Sequence, residues 1–343
     1  MIGPEHRSAS PKILAIREAR PTVSKILRSY GVLIGLLLII IVAAILEPSF
    51  LTANNVLNML RQASVIGIVS LGVTYVMMTG GMDLSVGATV SFTAVIAVSI
   101  MNRYGTGADT TVLTLVVILI TVCIGFLVGL ANGSIITVMN GRLGETFIIT
   151  YGMQIVIASL ALLYSSGQFV TGTFADGLYQ RLGTGFLPII VFLSLAVVMH
   201  IVLVHTSFGK QISFIGANMD CARMSGIRVK LLRTITYGIC GITAALSAIL
   251  VTSRVHSASP LQGTGYELEA IAAVVVGGTS QSGGTGGIVN TLLGVLVLSV
   301  LGNALNVIGV DANAQLLVRG GIIIIAVALD MWNKYTAQRK VVV

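Results

Sequence analysis

The sequence predicts an all-α protein, a polytopic membrane bundle of about ten transmembrane helices with both termini cytoplasmic. Three observations carry this. Hydrophobic residues make up 55% of the 343 and charged residues only 9%, with a mean hydropathy of +0.97, whereas about a quarter of an ordinary soluble domain is charged. The apolar runs are continuous and of spanning length, without the alternation of a membrane barrel strand. Glycine, at 39 residues, suits helices that pack backbone to backbone or break inside the membrane.

The elements follow in order. Apolar windows fall at residues 30–46, 63–79, 86–101, 112–131, 146–164, 187–204, 231–252, 267–279, 288–308 and 316–332, and the eighth is short. A basic N-terminal segment, residues 1–29, carries Arg7, Lys12, Arg17, Arg20, Lys25 and Arg28 and has no convincing small-residue cleavage site, so it reads as part of a retained signal-anchor. Residues 30–332 form the expected transmembrane domain and residues 333–343 a C-terminal tail.

Orientation follows from the cations. In the ten-span scheme, the side holding both termini receives the leader residues, Arg142, Lys210, Arg223, Arg228, Lys230, Arg233, Lys334, Arg339 and Lys340. The other side receives Arg61, Arg103, Arg181, Arg254 and Arg319 and no lysine. The richer side is expected to be cytoplasmic, which also accounts for the net charge of +8 without nucleic acid as a partner. An odd span count would split the two basic ends and spoil this asymmetry.

Between the sixth and seventh spans lies a basic loop, residues 205–230, with a short helical stretch over 217–227 in which Ala222, Met224 and Ile227 are available to pack. On the opposite side, residues 165–186 are polar and glycine-containing, readable as a gate, a partner contact or a connector.

Two glycine-rich breaks interrupt the apolar runs. The first, Gly80-Gly81-Met82-Asp83-Leu84-Ser85-Val86-Gly87, puts an acid between apolar flanks, and a lone Asp near a bilayer centre costs roughly 2.5–3.5 kcal/mol even on insertion scales. A polar cavity, a broken helix that needs its backbone satisfied, or a conformational latch would offset that cost, and all three belong to transport proteins. The second break, Gly277-Gly278 and the residues up to Gly287, ends another even-numbered span in the same way and echoes the first. Gly80, Gly81, Asp83, Ser85, Gly277 and Gly278 are therefore candidate helix-break and gating residues.

Enzyme chemistry is poorly represented. There is no G-x-x-x-x-G-K-[ST] phosphate loop, no G-x-S-x-G elbow and no zinc motif. Cys123, Cys221 and Cys240, like His6, His200, His205 and His256, are scattered without metal-ligand spacing. No metal and no cofactor bound by this chain is expected. The polar groups within the spans are mainly neutral: Asn132, Tyr151, Gln154, Asn290, Asn303 and Asn306, with Glu267 and Glu269 opening the eighth span. Amides and hydroxyls suit a neutral polyhydroxylated solute, where an ion pathway would show several buried acids or arginines. The bland reading is that each amide holds helices together. Asn132, Gln154, Asn290, Asn303 and Asn306 are the candidate pathway residues, the last two sharing a helix face at i, i+3.

Several segments in the right order also resemble a known family. GGMDLSVG at 80–87, FGKQISFIGANMDCARMSGIRV at 208–229 and GYELEAIAAVVVGGTSQSGG at 265–284 are similar to the permease subunits of bacterial ATP-binding-cassette importers for ribose, xylose, arabinose, galactose and related solutes. LLGVLVLSVLGNALNVIGV and QLLVRGGIIIIAVALD extend the resemblance over about residues 30–332. It implies an inner-membrane subunit that is not itself an enzyme, a second permease subunit, a cytoplasmic ATPase that uses ATP and Mg, and a periplasmic sugar-binding protein. By position it makes Gly216, Asn218, Ala222, Arg223, Ser225, Gly226 and Ile227 the ATPase-coupling segment. The sequence departs from the family's commonest pattern at Cys221, where Ala is usual, and at Asn290, where Gly is frequent. Branched-chain amino acid import, an ion- or proton-coupled secondary carrier, and a structural or channel-like subunit are the readings to be separated from it.

Overall fold

The computed structural model describes residues 23–105, 110–139, 141–175 and 177–318, with scattered positions as far as 328. Most of the expected N-terminal segment and the whole C-terminal tail lie outside the described residues.

Helix α1 (Val23–Leu46) ends at Glu47, whose carboxylate accepts from Ser49 N in a 3-10 turn. Helix α2 (Ala53–Met78) follows, then α3 (Val86–Tyr104), α4 (Thr111–Val138), α5 (Leu143–Ser165), the short α6 (Leu178–Leu182) and α7 (Leu187–His205). The basic loop forms α8 (Ser207–Ala217) and α9 (Met219–Met224), after which come α10 (Val229–Val255), α11 (Tyr266–Val276) and α12 (Ile288–Val307). Among the described residues, 7 helices are long and apolar enough to cross a membrane: α2, α3, α4, α5, α7, α10 and α12. The apolar part of α1 is Gly31–Leu46. Helix α11, at 11 residues, covers about 16 Å, too short to span a membrane by itself. The first nine predicted windows thus fall on helices. The tenth begins beside a helical stretch at 312–318 and runs largely outside the described residues.

Helices α2 and α10 form the centre, because their small and β-branched residues let neighbours approach from every side. Every residue of α2 from Ala63 to Met78 is buried. Along α10, Gly238 and Gly241 meet Gly125 and Gly129 of α4 so closely that a Cβ on Gly129 would lie 2.7 Å from the Tyr237 carbonyl carbon and 2.9 Å from Gly238 Cα. Gly133 continues the stripe against Thr234. This small-xxx-small contact brings two backbones together where hydrophobic burial offers no driving force between helices. The faces of α4, α5 and α7 away from this core are apolar yet uncovered, as at Leu115, Leu119, Ile148, Leu163, Ile190 and Val197, which is the surface a lipid-facing helix presents.

The connections gather at two ends. At one, β1 (Val170–Thr171) pairs antiparallel with β2 (Ser257–Ala258). Residues 165–186 are therefore not a loose connector: Asn102 donates to Thr171 O and accepts from Thr173 N, Phe174 packs on His256, and the fully buried Tyr179 hydroxyl bonds Thr252 at 2.6 Å. At the other end lie both glycine-rich breaks, the α4–α5 turn and α8–α9.

Three expectations change at this second end. The helical piece expected at 217–227 is the shorter α9, and a second helix, α8, precedes it in the loop, because Asn218 between them is extended (φ −159°, ψ 105°) and its side chain caps α9 by accepting from Asp220 N and Cys221 N. Met224, expected to pack, is 80% exposed, while Ala222 is buried and Ile227 partly so. Arg233, counted as a loop cation, lies in the second turn of α10 and is 1% exposed, donating through Nη1 to Gly141 O at 2.8 Å; α10 starts at Val229 and carries it inside.

Candidate coupling and translocation site

The first break begins as a helix terminus. Helix α2 runs 26 residues, about 39 Å, before Thr79 N and Gly81 N close on Val76 O and Gly80 N on Met77 O. Gly80 takes φ +73°, a conformation that costs a side-chained residue roughly 1–2 kcal/mol. The chain then turns back into the bundle, and α3 starts only at Val86. Gly80 lies at the α8 end, and the residues after it, Asp83 among them, re-enter the bundle.

Polypeptide without its own ladder is tolerated in such a place only if protein satisfies it. Met82 N donates to Thr146 Oγ1 at 3.2 Å and Leu84 N to Thr150 Oγ1 at 3.1 Å, both from α5, while the Tyr237 hydroxyl of α10 donates to Met82 O at 3.0 Å. Asp83, 2% exposed, accepts from Ser85 N at 3.0 Å and Ser85 Oγ at 2.7 Å, and the Cys240 thiol faces it. Asn132 of α4, fully buried, donates to Ser85 Oγ at 2.5 Å, leaving its own Oδ1 without a partner among the described residues. The acid therefore ties the start of α3 to α4 and α10. Thr146, Thr150 and Tyr237 were not singled out from sequence, although the i, i+4 pair of threonines on an otherwise apolar α5 is a legible sign of a polar stripe.

The second break is built differently. Gly277 N, Gly278 N and Thr279 N close α11 on Ala273 O, Val275 O and Val274 O, with Gly278 at φ +101°. A short loop follows, held by Ser280 N to Thr285 O at 2.9 Å and by Gly287 N to Thr279 Oγ1 at 3.3 Å. Asn290 on α12 donates from Nδ2 to Gly277 O at 3.1 Å and so caps the broken helix.

The two breaks meet. Gly284 N donates to Met78 O, the last carbonyl of α2, at 3.1 Å. A Cβ on Gly283 would lie 2.6 Å from Gly80 N and 2.8 Å from Gly216 Cα. Gly216, near the end of α8, rests on both: a Cβ there would run into Met78 O and Gly284 N and reach the Gly283 carbonyl carbon at 3.0 Å. Only at glycine can three backbones approach so closely.

Beyond this junction, α9 projects outward. Asn218, Arg223, Ser225 and Gly226 are exposed, with Met224 at the tip. Arg223 and Asp220 form a solvent-facing pair at 3.5 Å, and a cavity of about 430 Å³ between α9, the start of α5 and the first break is bordered by Arg142, Arg223, Gly80 and Ser282.

The five amides named from sequence do not converge on one surface. Asn132 belongs to the first break and Asn290 to the second. Gln154 donates to Glu267 Oε1 at 3.0 Å, tying α5 to the first turn of α11, where the 6% exposed Glu267 also presses on Gly87 of α3. Asn303 forms a reciprocal amide pair with Asn55 of α2 at 2.8 and 3.0 Å, and Asn306 borders a small polar cavity beside it. Among the described residues no three His, Cys, Asp or Glu side chains gather in one place.

Comparison with known proteins adds the lineage. Residues 55–327 match the family described as the permease component of the branched-chain amino acid transport system. The chain belongs to this permease family. Among its relatives, the permease is 39% identical over 310 residues to a ribose import permease protein of Bacillus subtilis strain 168, covering 89% of this chain and 93% of the relative. It is 38% identical over 309 residues to a ribose import permease protein of Escherichia coli K12, covering 87% and 92%. Against a galactose/methyl galactoside import permease protein of the same strain it is 36% identical over 320 residues, covering 89% and 94%. No solved structure matches it. The permease is thus a multi-pass membrane protein whose two breaks and α8–α9 loop all lie inside the matched region.

Proposed function

We propose that this permease is the membrane subunit of an ATP-driven importer for a monosaccharide or a related neutral polyhydroxylated solute. The names of its relatives, ribose and galactose import permeases, support the solute class, and the neutral amides and hydroxyls inside the bundle suit it. In this reading the basic end is cytoplasmic, a separate ATPase docks on α9, a solute-binding protein delivers at the β1–β2 end, and a second permease subunit completes the pathway. The ATPase supplies ATP and Mg chemistry; this chain supplies movement.

The observation that carries the coupling role is the contact of Gly216 with both breaks. A displacement of α8–α9 by a partner has no compliant side chain to absorb it at Gly216, so it passes to the end of α2 and to the loop between α11 and α12 together. Ala222 and Ile227 anchor the docking helix to the bundle, and Arg223, Met224, Ser225 and Gly226 present the contact.

The test uses the permease with its ATPase and binding protein. Cysteines at Gln211 and Asn218, in a background lacking Cys221, should react only with reagent on the ATPase side, and reaction from the opposite side would overturn the orientation. Arg223→Glu should weaken ATPase association while the bundle melts normally; unchanged copurification and uptake would remove Arg223 from the contact. Uptake that survives without the ATPase but collapses with an uncoupler would make the protein a secondary carrier.

A further inference from the structure

Near the end of the bundle remote from α8, a cleft lies between α2, α11 and α12. It holds a polar cavity of about 200 Å³ and, sharing Gln62, Glu269 and Leu298 with it, a more apolar one of about 430 Å³ bordered by Tyr266. Ser299 and Asn306 lie on one face of α12 at i, i+7 and both line the polar cavity. In helices a serine or an amide usually spends its hydrogen bonds on a nearby carbonyl or on a neighbour. Here the side chains of Gln62 and Asn306, both exposed, and of the half-buried Ser299 bond no partner among the described residues, whereas Asn303 between them is committed to Asn55. Three uncommitted neutral groups and the Glu269 carboxylate therefore converge on one space, and no Lys or Arg among the described residues borders it.

We propose that this cleft is a binding station for a single monosaccharide, built within one copy of the permease. The inference rests on the sugar-import reading and adds the place and the chemistry. Amides that both donate and accept match the hydroxyls of a sugar, which do the same. The Tyr266 ring supplies the apolar face that the C–H side of a sugar ring requires. Small-ligand sites of this kind combine an apolar wall with a few convergent polar groups. Asn303 acts by position, holding α12 to α2 so that Asn306 and Gln62 border one cavity.

The test is uptake into proteoliposomes holding the permease, its ATPase and its binding protein, with radiolabelled D-ribose, D-xylose and D-galactose as probes and ATP hydrolysis read in parallel. Gln62→Ala combined with Asn306→Ala should lower uptake of the best-transported of the three by about tenfold or more and raise the ATP consumed per sugar moved. Asn306→Gln, which keeps the amide, should recover part of the loss, and the lipid-facing Leu115→Ala should leave uptake at the parent rate. Ser299→Cys should be alkylated by a small maleimide more slowly when that sugar is present. Parent-like uptake in the double variant, or alkylation of Ser299→Cys indifferent to sugar, overturns the station while leaving the import reading intact. A parent complex that accumulates none of the three with ATP overturns the import reading and the station with it.

Discussion

The two glycine-rich breaks look alike in sequence and are held in opposite ways. The one from Gly80 to Ser85 goes back into the bundle, where side chains from α5 and α10 satisfy its backbone and Asn132 of α4 holds the Ser85 hydroxyl that donates to its acid. The one from Gly277 to Gly287 lies at the α8 end, closed by its own backbone, by Thr279 and by Asn290 and tied to α2 through Gly284 N, with Gly278 exposed. A break wired into three helices is expected to move with them as a block, and one held by fewer side chains to move more freely. Gly216 touches both, so in the proposed coupling force applied at α9 is expected to meet one stiff and one more compliant element.

The largest expected effect is on the stiff break. Asp83→Leu strands Ser85 N and Ser85 Oγ in a buried site, at about 1–3 kcal/mol for each, so thermal melting in detergent should fall well below the parent and uptake should be lost. Asp83→Asn keeps an acceptor at the same place and should fall between the two. Equal loss of uptake in both variants with the parent's melting temperature would instead make Asp83 a proton carrier. Parent-like behaviour of Asp83→Leu would show that the first break is no stiffer than the second.

Next is the junction. Gly216→Val drives a side chain into Met78 O and the Gly283–Gly284 backbone, an overpacking of about 1–3 kcal/mol. It should separate α8 from the breaks, so that ATP hydrolysis no longer drives uptake while the ATPase still copurifies through α9. Uptake at the parent rate per ATP would show that force reaches the breaks by another route. The smallest effect is expected at the compliant break, where Asn290→Ala removes one cap bond worth about 0.5–1.5 kcal/mol. Melting should barely move, and hydrogen exchange at Gly278 and Thr279 should quicken. A drop in melting as large as that of Asp83→Leu would erase the distinction between the breaks.

Much of this was legible in the residues. Continuous apolar runs make spanning helices because a backbone in hydrocarbon must satisfy itself, and nine of the ten windows fall on helices for that reason. Glycine pairs flanked by apolar runs marked both breaks, since only glycine takes the positive φ found at Gly80 and Gly278 without strain. A loop rich in Lys and Arg marked the α8–α9 end. The partners were not legible. That Asn132 of α4 holds the Ser85 hydroxyl that donates to Asp83, that Arg233 is inside, or that Asn303 is spent on Asn55 while Asn306 is not, depends on which helix faces which, and local sequence carries no record of that. The junction of Gly80, Gly216 and Gly283 brings together three segments far apart along the chain. Each glycine reads alone as a turn or a flexible point, and only the packed bundle makes them one contact. Composition and periodicity determined what is buried in a membrane and where the chain breaks. Tertiary structure decided which breaks touch, which polar groups are already committed and which remain open to a solute, because hydrogen bonds and backbone contacts between distant helices are properties of the packing and not of any one helix.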